Sequence, residues 1–373
     1  MKMRDARCGM RDARCAMRDT GSRIPNPVSR IFYMVLSVCL FATCHVPCAT
    51  AADDAPELTE EASEAIDEGL QYLLDNQRDD GSWASDKSGG RAVAITSLGL
   101  MAFMSRGEVP GGGPNGDALN RAKDWLLAQA RKAPDGYLGT TMYEHGLAIL
   151  ALTEMWGMTW GPEDAEAMEK AIKAGVELIL RSQGSGGGWR YQPTPSAGHD
   201  TSVTVMVFIA LASARQAGIM VPDEAIARVV KYFESATSQE SGGFNYIPTG
   251  NEANDSIACT GGGAYAAQLA GARGSEMVLS ALRYLTERSP GIINNNFGHY
   301  YYGHYYTIHA MVQAGDDYYA EWYPLIRDAL VRKQREDGAW TGGGKGAEGV
   351  GYETPMAIII LATPYRYIPI YQR

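Results

Sequence analysis

The sequence predicts an all-α fold, an (α/α)6 toroid (barrel) in which six helix hairpins form a ring. Three observations predict it. A Gln-x-x-x-Gly-x-Trp motif recurs along the chain at steps of about 50 residues, which is the period of stacked supersecondary units. Complete copies begin at Gln77, Gln183 and Gln334, and degenerate copies begin at Gln129, Gln239 and Arg288. Each copy follows an amphipathic segment and precedes a more apolar one, so that each repeat supplies two helices.

The first segment of each repeat has the pattern of an outer helix. In the first repeat, Ala65, Ile66, Leu70 and Leu73 recur at helical spacing among acidic residues. Comparable segments cover about 118–129, 165–182, 223–236, 276–288 and 320–334. Proline followed by acidic residues, as in the segment 161–164, is typical of the first turn of a helix.

The second segment of each repeat is apolar on nearly every side, as in 203–212 and 356–362. A helix that is apolar all round is buried, so we expect six inner helices inside six outer ones. Short apolar runs are also compatible with strands. Alanine, methionine and leucine dominate most inner segments, however, and no hairpin turn separates them, which favours helices.

The first 51 residues lie outside the repeat pattern and predict a leader. A seven-residue unit begins at Met3 and again at Met10, which indicates translated upstream sequence with the true start near Met17. Two arginines, an apolar run over 31–46 and small residues at 49–51 follow, as in a secretory signal peptide. We therefore expect a single toroid domain of six repeats over 52–373, exported to the periplasm or the extracellular space. An uncleaved membrane anchor is the alternative.

Cysteine and charge distributions agree with export. Five of the six cysteines precede residue 51, which leaves Cys259 alone in the mature chain and permits no intramolecular disulfide. The formal net charge is −10, and the leader carries mostly basic residues, so the mature domain is more acidic still. Such a surface argues against nucleic acid as a partner. A peripheral association with the cell envelope stays open.

The complete motif copies resemble those of squalene and other terpene cyclases, whose paired-helix ring is shared with protein prenyltransferase β subunits. The resemblance covers about residues 58–373. More narrowly, the segments 142–146, 187–191, 200–204 and 365–371 are similar to bacterial exported proteins with prenyltransferase and squalene-oxidase repeats. The resemblance implies a toroid with a central cavity that binds an isoprenoid or another hydrophobic small molecule. If the protein is an enzyme, it implies cyclase-like (mutase-like) or prenyltransferase-like chemistry.

The catalytic candidates are His199 and Asp200. Terpene cyclases that protonate an alkene carry Asp-x-Asp-Asp-Thr at the start of an inner helix, and protonation of a double bond demands a strong, desolvated acid. Aligned on Asp200 and Thr201, this chain has Ala197 at the first position and His199 at the position of the acid. The cyclase acid is therefore absent, and Asp200 also suits a helix N-cap.

We expect no cofactor, with zinc left open as an alternative. A protein prenyltransferase holds zinc with Asp, Cys and His. Here Asp255 and Cys259 are four residues apart, and His304 or His309 could supply a third ligand. The Asp-x-Cys spacing of the prenyltransferases is absent, however, and Asp255 also suits a helix cap.

The ligand-binding candidates are Tyr143, His145, Tyr302, His304 and Tyr306, all at or near the starts of inner segments, where the cavity of such a ring opens. Buried packing is the alternative for each of them. The tryptophans of the motif, Trp83, Trp189 and Trp340, are interpreted instead as packing between adjacent repeats. The predicted function is binding of an isoprenoid or lipid-like ligand. The alternatives are a carbohydrate-active enzyme, which needs a pair of carboxylates, and a peptide or envelope scaffold on the same ring.

Overall fold

The computed structural model describes residues 56–85, 91–158, 161–196, 198–248, 255–295, 297–343 and 349–372. The chain divides into two units, Met1–Ala51 and Ala52–Arg373. The first unit lies outside the described residues, so the signal peptide, the start near Met17 and export stay predictions. The following description concerns the second unit.

Within the described ranges the chain forms twelve α-helices and no strand, which confirms the all-α prediction. The helices are α1 Glu60–Asp75, α2 Ala92–Ser105, α3 Gly116–Arg131, α4 Met142–Trp156, α5 Pro162–Ser182, α6 Thr201–Gln216, α7 Asp223–Ala236, α8 Ile257–Leu269, α9 Glu276–Asn294, α10 Tyr300–Ala314, α11 Asp316–Lys333 and α12 Val350–Leu361. None of these described helices is long and apolar enough to cross a membrane.

The even-numbered helices form a closed inner ring. Their side chains are buried along almost their whole length, because they face the ring interior on one side and the outer helices on the other. Each inner helix packs against the next, and α12 returns to pack against α2. The odd-numbered helices surround them, with α1 in contact with both α11 and α12. The fold is an (α/α)6 toroid, as the repeats predict.

The glutamine of each complete motif joins neighbouring repeats. The side-chain amide of Gln183 donates to the carbonyl of Gly187 in its own turn, at 2.8 Å, and to that of Ala225 in the next outer helix, at 3.0 Å. Gln77 bonds in the same way to Gly81 and Ala118. Gln334 donates to Gly338 and to Ala65 of α1, at 2.8 Å. The last motif therefore closes the ring onto the first helix.

The tryptophan of the motif joins the outer and inner helix of one repeat. The indole N–H of Trp189 donates to the carbonyl of Ile179 in α5, at 2.8 Å, and its main-chain N–H donates to the hydroxyl of Thr204 in α6, at 3.0 Å. Trp83 and Trp340 make equivalent bonds. The three indoles are almost fully buried, so they pack between the outer and the inner helix of each repeat.

The turn between them requires glycine. Gly187 has φ of +91°, and a Cβ there would lie 2.1 Å from the carbonyl oxygen of Arg228. A side chain at this position would therefore be strained by both its backbone conformation and its contact with the next outer helix. The same turn recurs in the other complete motifs, with φ of +89° at Gly81 and +82° at Gly338.

The C-terminal tail covers the ring at the C-terminal ends of the inner helices. A short 3-10 turn, Pro369–Tyr371, places Ile370 and Tyr371 in the interior. The carbonyl of Ile370 accepts a bond from the hydroxyl of Tyr265 in α8, at 2.7 Å. The ring of Tyr371 stacks on His309 of α10, with centroids 3.8 Å apart, and its hydroxyl bonds to that of Tyr305.

Candidate functional site

A cavity of about 430 Å³ lies where the inner helices begin, at the opposite ends of those helices from the tail. All six inner helices contribute to its lining, through Ala94, Tyr143, Ser202, Cys259, Tyr302 and Tyr352. Small-molecule sites in proteins typically measure about 300–1,000 Å³. The cavity is therefore large enough for a small organic ligand, and it opens at the place that the sequence indicates.

Tyrosines form much of its wall, and most of their hydroxyls bond within the protein. The hydroxyl of Tyr143 lies 2.7 Å from that of Tyr352 and 3.4 Å from that of Tyr306. At the wall formed by the loops before α6 and α8, the hydroxyls of Tyr191 and Tyr246 are 3.1 Å apart. Because these hydroxyls bond to each other, the rings present mainly carbon to the cavity.

Three further tyrosines come from the first turn of α10. The hydroxyl of Tyr300 donates to the carbonyl of Ile293 at 2.7 Å, and that of Tyr301 donates to the carbonyl of Thr341 at 3.4 Å. Tyr302 differs from both, since its hydroxyl is buried and has no hydrogen-bond partner within the described part of the chain. Burial raises the pKa of Tyr302 well above its ordinary value, so the hydroxyl keeps its proton.

Tyr302 lies among aromatic rings. Its ring centroid is 4.8 Å from that of Tyr306, 6.0 Å from that of Tyr143 and 6.2 Å from that of His299. Tyr306 is fully buried behind this group, and its hydroxyl donates to the sulfur of Met206 at 3.3 Å. The structure thus brings together three of the predicted ligand-binding tyrosines, Tyr143, Tyr302 and Tyr306.

Two carboxylates that the sequence analysis did not single out, Glu144 and Glu353, also line the cavity. Each bonds to the loop before its own helix. The carboxylate of Glu144 accepts from the hydroxyl of Thr140 at 2.7 Å, and that of Glu353 accepts from the N–H of Gly343 at 3.1 Å. The Thr141-x-x-Glu144 spacing is the capping-box pattern, and this pattern could have placed Glu144 in the first turn of α4 from the sequence.

The rim carries two residues with strained backbones. Arg91 is the N-cap of α2 with φ of +60°, and His299 is the N-cap of α10 with φ of +61°. Neither cap makes a side-chain bond to its helix. Non-glycine residues rarely adopt this conformation, and where they do, it often marks a binding or active site. Both residues line the cavity.

The predicted catalytic pair serves local structure. Asp200 is the N-cap of α6, and its Oδ1 accepts from the N–H of Val203 at 2.9 Å and from the hydroxyl of Ser202 at 2.8 Å. The Nε2 of His199 accepts from the N–H of Gly186 at 3.2 Å, in the motif turn. Burial lowers the pKa of His199 and raises that of Asp200. The structure gives this pair a capping and packing role, and neither side chain is among the residues that line the cavity.

His145 and His304 also point away from the cavity. The Nδ1 of His145 accepts from the N–H of Leu138 at 3.1 Å, and its Nε2 donates to the carbonyl of Gly175 in α5 at 3.2 Å. The Nε2 of His304 donates to the carbonyl of Ile292 in α9 at 3.2 Å. Burial lowers the pKa of His145 to about 4 and that of His304 to about 3. Both histidines join inner helices to outer ones as neutral side chains and are not among the residues that line the cavity, so ligand contact by either of them stays a prediction.

The zinc candidates do not assemble. Among the described residues, no group of three or more His, Cys, Asp or Glu side chains could hold a metal ion. Cys259 lines the cavity, but burial raises its pKa to about 11. His309 stacks on Tyr371 at the tail. Asp255 lies just before α8 and forms a β-bridge with Asn245.

The N-cap of α8 is Ser256, whose hydroxyl accepts from the N–H of Cys259 at 3.1 Å. The cap that the sequence assigned to Asp255 therefore falls one residue later. The carboxyl of Asp255 instead lies beside the hydroxyl of Tyr284, on the outer helix α9. This contact joins the start of an inner helix to an outer one and draws Asp255 away from a shared ligand set with His309.

The fold is shared with enzymes of several classes. No family model matches the chain. The α-1,6-mannanase GH76A from Salegentibacter sp. HEL1_6 has a TM-score of 0.60 at 12% identity, over 81% of this chain and 98% of that chain. The type II terpene cyclase MstE from Scytonema has a TM-score of 0.56 at 15% identity, over 83% and 100%. Cellobiose 2-epimerase from Bacillus thermoamylovorans B4167 has a TM-score of 0.57 at 11% identity, over 81% and 99%.

At these identities the likeness shows a common fold and nothing finer. The terpene cyclase has the fold that the sequence resemblance implies. The mannanase and the epimerase show that the same ring also carries carbohydrate chemistry, so the fold by itself does not select a ligand.

Proposed function

We propose that the protein binds a hydrophobic small molecule of the isoprenoid type in the cavity at the start of the inner helices. The tyrosine wall carries this proposal. Hydroxyls that bond to each other, as in the pairs Tyr143–Tyr352 and Tyr191–Tyr246, leave ring carbons to contact a ligand. Ligand sites of this kind are mostly apolar with a few polar groups that orient the ligand.

The same geometry favours binding over proton-initiated cyclisation. A cyclase acid must donate its proton to a substrate carbon. Asp200 uses one carboxyl oxygen as a helix cap, and its other oxygen lies 4.0 Å from the Nε of Arg190. His199 is held against the turn at Gly186. We infer that this chain retains the ring and cavity of a terpene cyclase without the acid.

One of the structural neighbours has been solved with a ligand of this class. The Scytonema terpene cyclase is described in complex with geranylgeranyl dihydroxybenzoate, at a TM-score of 0.55 and 12% identity to this chain. The leader predicted over residues 17–51 would place such binding outside the cytoplasm. Isoprenoid binding and export together would make the protein a carrier or a sensor of an isoprenoid in the cell envelope.

The test is native mass spectrometry and lipid extraction on the mature chain, residues 52–373, purified from its own host, with metal analysis on the same sample. We expect a co-purifying isoprenoid that is lost in Tyr352→Ala. The matched control is Met220→Ala, which truncates a side chain that is 83% exposed. An empty protein that also fails to bind added farnesol would refute the proposal. Stoichiometric zinc would overturn the assignment of a metal-free site.

Carbohydrate processing is the second candidate, and the observation that favours it is the placement of Glu144 and Glu353 on one cavity. Two carboxyl groups are the usual requirement for glycoside hydrolysis, and tyrosine faces stack well on sugar rings. The mannanase neighbour has been solved with α-1,6-mannotriose in an inactive variant. Binding of mannotriose by calorimetry, abolished in Glu144→Gln and Glu353→Gln, would establish this candidate in place of the first.

A further inference from the structure

We propose that the cavity ligand carries an uncharged oxygen group, a hydroxyl or a carbonyl, that hydrogen-bonds to the hydroxyl of Tyr302. The inference rests on the proposed function and narrows its ligand from a hydrocarbon to an amphipathic molecule with one polar head. An isoprenoid alcohol, a phenol or a quinone has this chemistry.

The hydrogen bonds of the cavity tyrosines single out this position. Within the part of the chain that the structure describes, six tyrosines of the lining use their hydroxyls internally: Tyr143, Tyr191, Tyr246, Tyr300, Tyr301 and Tyr352. Tyr302 lines the same cavity, and its buried hydroxyl has no hydrogen-bond partner among the described residues. Buried hydroxyls in native proteins are nearly always hydrogen-bonded, so a group outside the protein is needed to complete it.

The surroundings of Tyr302 define the kind of head. Its ring contacts the rings of Tyr143, Tyr306 and His299, which together enclose it with carbon and weakly polar edges. Cys259 lies on the same cavity and, with a pKa raised to about 11 by burial, presents a neutral thiol. A charged head buried here would need an opposite charge in contact with it. An uncharged hydroxyl or carbonyl needs a single donor or acceptor, and Tyr302 can be either.

The position on the helix fits a head-first orientation. Tyr302 belongs to the first turn of α10, and Tyr306 lies one turn further along on the same side. The cavity wall continues from there with Tyr143 and Tyr352, whose hydroxyls bond to each other. A ligand with its oxygen at Tyr302 would therefore place its apolar part along this wall.

Paired probes test the inference on the folded mature chain. Farnesol and farnesene share a carbon skeleton, but farnesol has a hydroxyl and farnesene has none. We expect the unmodified protein to bind farnesol about tenfold more tightly than farnesene, as measured by titration calorimetry. Only farnesol can supply the hydrogen bond that the buried hydroxyl of Tyr302 lacks. In Tyr302→Phe the affinity for farnesol should fall to about that for farnesene, and the affinity for farnesene should not change.

Tyr301→Phe is the matched control, because it removes a hydroxyl from the same cavity that already bonds to Thr341. It should keep the preference for farnesol. Stability gives a second readout. Without ligand, Tyr302→Phe should melt at the same temperature as the unmodified chain or higher, since the lost hydroxyl has no partner. Tyr300→Phe should melt lower, since its hydroxyl bonds to Ile293.

The outcomes separate this inference from the proposed function. Equal binding of both probes by the unmodified chain would support the proposed function and overturn the polar head. A preference for farnesol that survives in Tyr302→Phe would show that another group binds the farnesol hydroxyl, which also overturns the inference. Failure to bind either probe would refute the proposed function and the inference together.

Discussion

Glu154 offers a quantitative test of how the C-terminal tail is held. This carboxyl lies near the end of α4 and is 6% exposed. Its Oε1 accepts from the hydroxyl of Ser213 at 2.6 Å, and its Oε2 accepts from the N–H of Ile370 at 3.3 Å. Burial raises its pKa from 4.5 to about 7 against the opposing effect of these two bonds. The folded protein therefore holds a proton here that the unfolded chain has released.

The sign and size of the effect follow from this pKa. Between pH 4.5 and about 7 the folded state binds more protons at Glu154 than the unfolded state, so the free energy of unfolding falls as pH rises. Each pH unit in that interval lowers the free energy of unfolding by about 1.4 kcal/mol. The contribution of Glu154 is therefore favourable at low pH and is reduced by about 3 kcal/mol once the pH exceeds 7. Glu154→Gln removes this dependence and keeps a side chain of the same shape.

The assay is urea unfolding followed by circular dichroism, for both proteins, from pH 5 to pH 9. Histidines with lowered pKa values titrate equally in the two proteins, so the difference between their unfolding free energies isolates Glu154. We expect that difference to move in favour of Glu154→Gln by about 3 kcal/mol across the range. Glu64→Gln, which removes an exposed carboxylate of α1, controls for the loss of one charge. Parallel curves for the unmodified protein and Glu154→Gln would refute the reasoning.

Three further predictions follow from the fold and the cavity. Gln183→Ala should lower the free energy of unfolding by about 1–3 kcal/mol per carbonyl left unbonded, measured by urea denaturation, whereas exposed Gln71→Ala should change it by less than about 0.5 kcal/mol. Ile370→Ala should cost about 2–5 kcal/mol, because it empties a buried site under the tail. Cys259 should react slowly with iodoacetamide at pH 8 and faster as the pH approaches 11, by mass spectrometry, and a bound ligand should slow the reaction further.

The ring was predictable because its signals are local and repeated. Each complete motif places a glutamine, a glycine turn and a tryptophan at fixed spacing, and Gln183, Gly187 and Trp189 each make the contacts that this spacing needs. Closure of the ring was less visible. The bond from Gln334 to Ala65 joins residues that are 269 apart in the chain, and no short-range pattern reports such a contact.

The cavity was predictable in part, for a reason of helix geometry. Residues two apart on a helix point to opposite sides, whereas residues four apart share a side. Tyr143 and Tyr302 therefore face the cavity, while His145 and His304, each two residues later, face outer helices. The sequence analysis grouped each pair as one cluster because they are neighbours in the chain.

The missed residues lie in turns. Tyr191 and Tyr246 reach the cavity from the loops before α6 and α8, and their pairing depends on how those loops return to the ring. The strained rim residues Arg91 and His299 give no signal in the sequence, since a left-handed conformation at a non-glycine residue is imposed by its surroundings. Loop geometry of this kind depends on tertiary contacts, so it could not be predicted from the sequence.

The two ends of the ring differ in structure, because one end is filled by the C-terminal tail and the other holds the cavity. This difference indicates where a change of function is possible. At the C-terminal ends of the inner helices, the tail fills the interior with Ile370 and Tyr371 and ties it to Glu154 and Tyr265. At the N-terminal ends, a cavity stays open to side chains from all six inner helices. The side chains of the motif glutamine and tryptophan bond to backbone carbonyls of outer helices, and no residue of the complete motifs lines the cavity. Side chains at the open end can therefore change without loss of the contacts that hold the ring, and a mannanase, an epimerase and a terpene cyclase share this fold.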